Sequence, residues 1–196
     1  MSKRRLAILL SGRGSNFESI ADAVDSGAIP NAEIVGVVSD VPRARGLERA
    51  RERGLPAFVF DRERFPSRRA QEGAILAELD EVRPDLVCLA GYMRILSPEF
   101  VSRYRGRILN IHPALLPKFP GLDVQRRALE AGETESGCTV HFVDEGTDTG
   151  PIVLQRKVPV LQGDTEETLS ARILAEEHRA YPEAIARVLE ELEKGA

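Results

Sequence analysis

Apolar runs alternate with amphipathic segments over the first 110 residues of the chain. Five of these runs are apolar almost throughout, as strands that are covered on both faces must be. The predicted strands are Arg5–Leu10, Glu33–Ser39, Ala57–Phe60, Leu86–Ala90 and Ile108–Ile111. The segments with helical spacing between them are Asn16–Ser26, Ala44–Arg53 and Ser67–Val82. This alternation predicts right-handed βαβ units and an α/β fold with a doubly wound, mostly parallel sheet.

The pattern changes later in the chain. Apolar and polar positions alternate over Gly137–Asp144, and a second run, Ile152–Pro159, follows a Gly-Pro turn. Together they predict an antiparallel pair of strands at one side of the sheet. In the first run, one face carries Cys138, Val140 and Phe142, and the other carries Thr139, His141 and Val143.

A C-terminal helix is predicted by its start signal and its apolar stripe. Asp164 is the expected N-cap, with Glu167 three residues later. Pro182 is expected to kink or break the helix. The stripe that faces the core consists of Leu169, Ile173, Leu174, Ile185, Val188 and Leu192.

Composition narrows the class of protein. A chain of 196 residues without repeats or linkers is expected to form one domain, 1–196. The 27 basic and 31 acidic side chains give a net charge of −4, which argues against a nucleic-acid partner. Cys88 and Cys138 sit in apolar runs and read as buried thiols, and no metal-ligand cluster is expected. Without a cleavable leader or a membrane-length run, a cytoplasmic protein with no membrane partner is expected.

The segment Asn110-Ile111-His112-Pro113 is the strongest candidate for chemistry. Residues i and i+2 of a strand point to the same side of the sheet, so Asn110 and His112 can approach one atom. An amide donor beside a titratable imidazole suits a reaction that builds negative charge on a carbonyl oxygen and moves a proton. The alternative is that the two side chains only cap a strand before a turn.

The loop Ser11–Asn16 joins the first strand to the first helix. It lacks the Gly-Lys-Ser/Thr of a P-loop, and Phe17 stands where a dinucleotide fingerprint needs a third glycine. Asp40, near the end of the second strand, does match the acidic residue of that fingerprint. A site for one phosphate at the helix start is what the loop predicts. A plain strand-to-helix turn is the alternative.

Three further segments carry polar or loop-forming residues. Gly91–Pro98 follows the fourth strand and would accept a flat heterocycle, or else packs as ordinary core. In the acidic loop Asp144–Gly150, Asp148 would orient His112 and favour its protonated form, or else the loop is only a turn. Glu177 would bind a sugar hydroxyl or be solvated. His141 and His178 are expected to be structural.

Taken together, these motifs resemble the phosphoribosylglycinamide formyltransferases, a folate-dependent formyltransferase family of purine synthesis. The resemblance covers nearly the whole chain, and the order and spacing of the motifs make it specific. The motifs are Gly12-Arg13-Gly14-Ser15-Asn16, Leu47-Glu48-Arg49-Ala50, Leu89–Ser97, Asn110–Pro113, Leu115–Gly121, Val140–Val143 and Asp148–Pro151.

The resemblance implies a Rossmann-like formyltransferase fold and a role for each matching residue. It implies a catalytic trio, Asn110, His112 and Asp148, and a cis bond between Leu116 and Pro117. The residues that it implies for glycinamide ribonucleotide are Gly14, Ser15 and Asn16 at the phosphate and Glu177 at the ribose. The residues that it implies for 10-formyltetrahydrofolate are Arg68, Met93, Arg94, Ile95, Leu96, Asn110, Asp144, Glu145, Gly146, Thr147 and Asp148.

The reaction implied by the resemblance transfers the formyl group of 10-formyltetrahydrofolate to the primary amine of glycinamide ribonucleotide. The amine attacks directly and forms a tetrahedral oxyanion. The reaction is a step in the synthesis of IMP. No metal is implied, the partners are the two small molecules, and the protein is expected to be a monomer or a homodimer.

Three other functions compete with this expectation. A formyltetrahydrofolate deformylase would use water as the acceptor, but that family carries an N-terminal regulatory domain, whereas the first strand here begins near residue 5. A methionyl-tRNA formyltransferase needs a C-terminal extension and a basic face. A non-catalytic Rossmann-type module would bind a dinucleotide at Gly12–Asn16, with Asp40 on its ribose.

Overall fold

In the computed structural model, which describes residues 3–194, seven strands form one sheet in the order β3-β2-β1-β4-β5-β6-β7. The strands are β1 Arg4–Leu10, β2 Ala32–Ser39, β3 Ala57–Val59, β4 Leu86–Leu89, β5 Ile108–His112, β6 Glu135–Phe142 and β7 Ile152–Pro159. Pairs among β1 to β5 are parallel, whereas β6 runs antiparallel to β5 and to β7. The predicted mostly parallel sheet with late antiparallel strands is confirmed.

Helices cover both faces of the sheet, because alternate residues of the buried strands point to opposite layers. The helices are α1 Ser15–Asp25, α2 Arg45–Glu52, α3 Arg68–Val82, α4 Pro98–Arg103, α5 Val124–Glu130 and α6 Glu166–Lys194, with a 3₁₀ turn at Arg62–Arg64. Leu6, Ile8 and Leu10 pack in a cluster with residues of α1, α2 and α6, whereas Ala7 and Leu9 pack with residues of α3 and α4. The short helices α4 and α5 were not predicted.

Helix α6 begins at a different cap from the predicted one and continues past Pro182. Its N-cap is Thr165 rather than Asp164: the amides of Thr165 and Thr168 each donate to the other residue's hydroxyl, at 2.9 and 3.3 Å. Asp164 instead pairs with Arg172 at 2.7 Å. The helix also runs through Pro182 without a break, because Tyr181, Ala184 and Ile185 are buried against the sheet on both sides of the proline.

Tyr181 fixes the sheet edge where the candidate chemistry lies. Its side chain is fully buried, and its hydroxyl lies 3.0 Å from the carbonyl oxygens of both Leu89 and Leu109. Leu89 is the last residue of β4, and Leu109 directly precedes Asn110 on the neighbouring parallel strand β5. Tyr181 therefore holds β4 and β5 in register just below the site.

Both cysteines are buried and unpaired, as predicted. Within residues 3–194, no set of three His, Cys, Asp or Glu side chains is placed to hold a metal ion. Over the same residues, no helix is long and apolar enough to cross a membrane.

Candidate active site

The end of β5 presents Asn110 and His112 on the same side of the sheet, as the strand pattern predicted. The antiparallel partner β6 pairs Asn110 with His141 and His112 with Thr139. His112 is 5% exposed, so its imidazole is held by protein groups rather than by bulk water.

Both ring nitrogens of His112 face hydrogen-bond acceptors. Nε2 lies 2.9 Å from the carbonyl oxygen of Phe119, and because a carbonyl only accepts, Nε2 carries the proton. Nδ1 lies 3.3 Å from Oδ2 of Asp148, a charge contact without hydrogen-bond geometry, so the proton of the neutral ring stays on Nε2 and Nδ1 is the basic nitrogen. Burial lowers the pKa of His112 below its ordinary value, although Phe119 and Asp148 raise it. Asp148 thus acts in the predicted direction, but burial outweighs it, and the substrate-free imidazole is neutral at neutral pH.

Asp148 brings the acidic loop to the end of β5. Its Oδ2 accepts from the Gly121 amide at 2.9 Å, and its Oδ1 lies 3.5 Å from Nε2 of His141. Burial raises the pKa of Asp148, but contacts with His141, Gly121 and His112 outweigh burial and hold that pKa below its ordinary value. The side chain is therefore a carboxylate at neutral pH, placed between two histidines.

Gly150 allows the acidic loop to close onto β6. A Cβ at this position would lie 1.8 Å from the carbonyl oxygen of Phe142, so no larger residue fits without moving the backbone. The glycine therefore sets the position of the loop that carries Asp148, two residues earlier.

We expect Gly150→Ala to destabilise the protein by about 1–3 kcal/mol, the usual cost of overpacking, and to lower turnover by moving Asp148. For a chain of this size, each kcal/mol corresponds to about 2–4 °C in Tm. Thermal unfolding measures the change. Gly73→Ala is the matched control, because a Cβ at Gly73 in α3 meets no atom within 4 Å and alanine favours a helix. A Gly150→Ala variant as stable and active as the protein itself would contradict this account.

His141 belongs to the site, although the sequence suggested only a structural role. Its Nδ1 donates to the carbonyl oxygen of Phe142 at 2.9 Å, and its Nε2 faces both Oδ1 of Asp148 and the side chain of Asn110. The Asn110 side-chain amide lies 3.3 Å from that nitrogen. His141 thus orients the Asn110 amide and leaves its second N–H free for a ligand.

The turn after His112 is fixed from β6. The Thr139 hydroxyl donates to the carbonyl of Ala114 at 2.6 Å and accepts from the amide of Leu116 at 3.1 Å. The Leu116–Pro117 bond in this turn is cis. Thr139 is fully buried, so its hydroxyl replaces water as the partner of these backbone groups.

The glycine-rich loop leads directly into α1. Gly14 takes the left-handed conformation (φ 79°) and packs against Gly46, since a Cβ on Gly14 would lie 2.5 Å from the Cα of Gly46. No side chain caps the helix start, so the first amides, from Ser15 onward, are available to an anion.

Asn16 and Glu177 connect this loop to α6. The Asn16 amide donates to Glu177 at 2.8 Å. Glu177 is 7% exposed rather than solvated, and burial raises its pKa although the Asn16 hydrogen bond lowers it. The carbonyl oxygen of the Asn16 side chain is buried and has no partner among residues 3–194. An unsatisfied buried acceptor beside a buried carboxylate is suited to a ligand with hydrogen-bond donors.

The loop after β4 is held at both ends. The Ser11 hydroxyl donates to Asp40 at 2.6 Å and accepts from the amide of Met93 at 3.0 Å. Asp40 therefore supports this loop rather than standing free for a ribose. At the other end, Arg68 donates to the carbonyl of Ile95 and is held by Glu72 at 2.9 Å. Between the two ends, the Met93 and Ile95 side chains are 66% and 64% exposed.

A cavity of about 550 Å³ unites most of these groups. Of the predicted residues, the cavity is lined by Asn16, Met93, Arg94, Ile95, Leu96, Asn110, His112, Asp144, Gly146, Thr147, Asp148 and Glu177. Gly14, Ser15 and Arg68 lie outside its lining, and Glu145 turns away to Arg105 at 3.3 Å. A groove of about 900 Å³ between α1 and α6 contains none of the predicted residues and includes the ion pair of Arg156 and Glu183.

Comparison with known proteins decides the family. Residues 4–185 match the family described as formyl transferase. The chain belongs to the formyl transferase family. It is 48% identical to the phosphoribosylglycinamide formyltransferase of Escherichia coli (strain K12), over 92% of this chain and 85% of that protein. The family resemblance found in the sequence is thereby confirmed.

Two further relatives support membership of the formyl transferases. The crystal structure of phosphoribosylglycinamide formyltransferase from Brucella melitensis superposes with a TM-score of 0.90 at 53% identity, covering 95% of both chains. The trifunctional purine biosynthetic protein adenosine-3 of Drosophila pseudoobscura pseudoobscura is 54% identical over 94% of this chain. The chain spans only 14% of that longer protein.

Sequence reasoning missed several groups of this candidate site. His141 and Thr139 share one face of β6, and the alternation in Gly137–Asp144 was the signal available for them. Their roles follow only from the register with β5, which a single sequence does not give. The carbonyl of Phe119 left no signal, because a backbone oxygen has no sequence signature.

Proposed function

We propose that the protein transfers the formyl group of 10-formyltetrahydrofolate to the primary amine of glycinamide ribonucleotide in purine biosynthesis. The observation that carries this proposal is the convergence of Asn110, His112 and Asp148 in one cavity, which extends to Asn16 and Glu177 near the amides of α1. An oxyanion donor, a proton-transfer group and a carboxylate therefore lie beside a place for a phosphorylated acceptor.

The phosphate of the nucleotide is assigned to the amides of Gly14, Ser15 and Asn16. Free amides at a helix start bind anions, and α1 has no competing side-chain cap. Glu177 would accept hydrogen bonds from the ribose hydroxyls, and the unpartnered oxygen of Asn16 would accept from the same ligand. These assignments place the amine of the nucleotide toward Asn110 and His112.

The folate is assigned to the part of the cavity bounded by the loop after β4 and the acidic loop. Exposed apolar side chains at Met93 and Ile95 and free backbone groups fit a flat heterocycle. Arg68, at the outer end of that loop, would meet the anionic glutamate tail. The folate supplies the activated formyl group, and within the described residues the site offers no metal-binding set.

The protein groups act on charge and protons during the transfer. The amine forms a bond to the formyl carbon, and Asn110 donates a hydrogen bond to the oxygen that becomes negative. His112 accepts the proton that the attacking amine loses, on Nδ1, where Asp148 stabilises the resulting imidazolium. The cation thus appears only with the oxyanion, so it stabilises the transition state more than the bound substrates. His112 then delivers the proton to the folate nitrogen as its bond to the formyl carbon breaks.

We further propose that the whole chain, 1–196, forms one formyl transferase domain, which the continuous sheet and the family match over residues 4–185 support. The partners are then the two small molecules, and neither nucleic acid nor a membrane takes part. The cytoplasmic location and the choice between monomer and homodimer stay predictions.

An acceptor panel tests the proposed function. Purified protein with 10-formyltetrahydrofolate is given glycinamide ribonucleotide, initiator methionyl-tRNA or buffer alone, and the formylated products are measured by mass spectrometry. Formylation of glycinamide ribonucleotide alone is the expected result. Formylated tRNA, or formate from the tube with buffer alone, would overturn the proposal.

We expect Glu177→Gln to stabilise the protein at neutral pH while it weakens nucleotide use. Burial raises the pKa of Glu177 above its value in the unfolded chain. The contribution of the protonated Glu177 side chain to stability is therefore complete below the unfolded-state pKa, and it is lost as the pH rises through the folded-state pKa and the buried side chain ionises. Glutamine does not ionise, so the Tm advantage of the variant grows as the pH rises from about 4 and then levels off.

The same variant should raise the KM for the nucleotide about tenfold, because a neutral amide accepts hydrogen bonds more weakly than a carboxylate. Thermal unfolding from acid to neutral pH checks the expected Tm advantage, and steady-state kinetics check the expected rise in KM. Glu176→Gln, one residue earlier in α6, is the control outside the cavity. An unchanged KM would remove Glu177 from the ribose site, and a Tm advantage that shrinks as the pH rises would contradict the raised pKa of Glu177.

A further inference from the structure

We propose that Arg127, in α5, is a positioning residue for the reaction. Its side chain holds the segment Phe119–Gly121 against both His112 and Asp148. The kinetic part of this inference rests on the proposed function, and the structural part does not. Arg127 lies outside the cavity lining and belongs to none of the motifs that carry the family resemblance.

The segment Phe119–Gly121 contacts both members of the proton-transfer pair. The carbonyl of Phe119 accepts from Nε2 of His112 at 2.9 Å, and the amide of Gly121 donates to Oδ2 of Asp148 at 2.9 Å. The first contact fixes the proton on Nε2 and leaves Nδ1 basic, and the second fixes the carboxylate that faces Nδ1. One short stretch of backbone therefore determines both the tautomer and its orientation.

This stretch of backbone is strained. Phe119 has a φ of 53°, a left-handed conformation that is unfavourable for a bulky residue. A strained conformation persists only where its surroundings hold it. Without such support, the backbone would relax and withdraw the Phe119 carbonyl from the imidazole.

Arg127 supplies the support. Its Nη1 donates to the carbonyl of Pro120 at 2.6 Å and to the carbonyl of Leu122 at 3.2 Å. Its guanidinium also lies 5.4 Å from the centre of the Phe119 ring, within the range of a cation–π contact. Within residues 3–194, no carboxylate forms an ion pair with Arg127, so backbone oxygens and an aromatic ring are its partners. Both hydrogen bonds come from one nitrogen of the planar guanidinium, whose central carbon lies near the ring, and lysine does not reproduce this combination.

The neighbouring arginine provides a matched comparison. Arg126 lies on the same helix and pairs with Asp123 at 2.6 Å, and it donates to none of the carbonyls of Phe119, Pro120 or Leu122. A role in solubility or in general helix stability would be common to both arginines. A role in positioning His112 belongs to Arg127 alone.

Three variants test the inference: Arg127→Met, Arg127→Lys and Arg126→Met. We expect Arg127→Met to lower kcat at least tenfold while the KM for the nucleotide changes less than threefold. Arg127→Lys keeps the charge but loses the fork and the ring contact, so its kcat should fall at least fivefold. Arg126→Met should stay within twofold of the unsubstituted protein. Wild-type kcat in both Arg127 variants would overturn the proposal.

The His112 tautomer gives a readout that needs no turnover. In protein labelled with nitrogen-15 in histidine, the unsubstituted chain and Arg126→Met should show His112 protonated on Nε2 at pH 7.5. Both Arg127 variants should show a mixture of tautomers. If Arg127→Met does not fold, Arg127→Lys decides the matter. An unchanged tautomer in the folded Arg127 variants overturns positioning whatever their rates, whereas a shifted tautomer in a protein without formyl transfer would refute only the proposed function.

Discussion

Replacing His112 with alanine is expected to lower kcat by about 10²–10⁴-fold, the usual contribution of a positioned acid–base group. Its Nδ1 faces Asp148 at 3.3 Å, and in this account no other group carries the proton from the amine to the folate nitrogen. Because His112 meets the reacting atoms rather than the phosphate or ribose, the KM for the nucleotide should change only a few-fold.

Steady-state kinetics with both substrates varied, together with calorimetric titration of glycinamide ribonucleotide, separates turnover from binding. His178→Asn is the matched control, since His178 lines the groove between α1 and α6 rather than the cavity. Its kcat should stay within twofold. A His112→Ala variant that retained a near-normal kcat would remove the histidine from the mechanism.

Asp148→Asn is expected to lower kcat by up to about 10⁴-fold, the scale seen when a carboxylate that orients a catalytic histidine becomes an amide. The asparagine amide carries no charge, so it does not stabilise the imidazolium. Its NH2 group donates rather than accepts, so it cannot replace both carboxylate oxygens that face His112, His141 and the Gly121 amide. The loss should appear in kcat rather than in nucleotide binding.

The direction of a pKa change provides a second check of Asp148. Burial holds the pKa of His112 below its ordinary value, while the charge of Asp148 raises it. Removal of that charge should therefore lower the pKa of His112 further, so its protonation begins at a lower pH. A nitrogen-15 titration of the substrate-free protein measures this, with His178 as the internal reference. A higher His112 pKa in Asp148→Asn would contradict the assigned contact.

The parallel half of the sheet could be predicted from sequence because its strands are buried on both faces and read as apolar runs. The register that unites the site could not be predicted. Asn110 and His141 are cross-strand neighbours, yet 31 positions separate them along the chain, and periodicity carries no information on pairing. The sequence therefore identified Asn110 and His112 as a pair but missed the histidine that orients the amide.

Burial explains two further differences between sequence and structure. Glu177 resembled an ordinary helix carboxylate, yet packing of α6 against the sheet makes it a buried group beside Asn16. Burial also opposes Asp148 at His112: the carboxylate raises the pKa of the imidazole, as predicted, but burial holds that pKa below its ordinary value. The short helices α4 and α5 were missed because six and seven residues give too few turns for a periodic signal.

The most direct test of the central claim is the stoichiometry of transfer. Protein is incubated with 10-formyltetrahydrofolate labelled in the formyl carbon and with glycinamide ribonucleotide, and tetrahydrofolate and labelled formyl nucleotide are quantified in the same samples. The account predicts equal amounts of the two products at every time point and no release of tetrahydrofolate when the nucleotide is omitted. Tetrahydrofolate released without the nucleotide would identify a hydrolase, and folded protein that formed neither product would contradict catalysis at Asn110, His112 and Asp148.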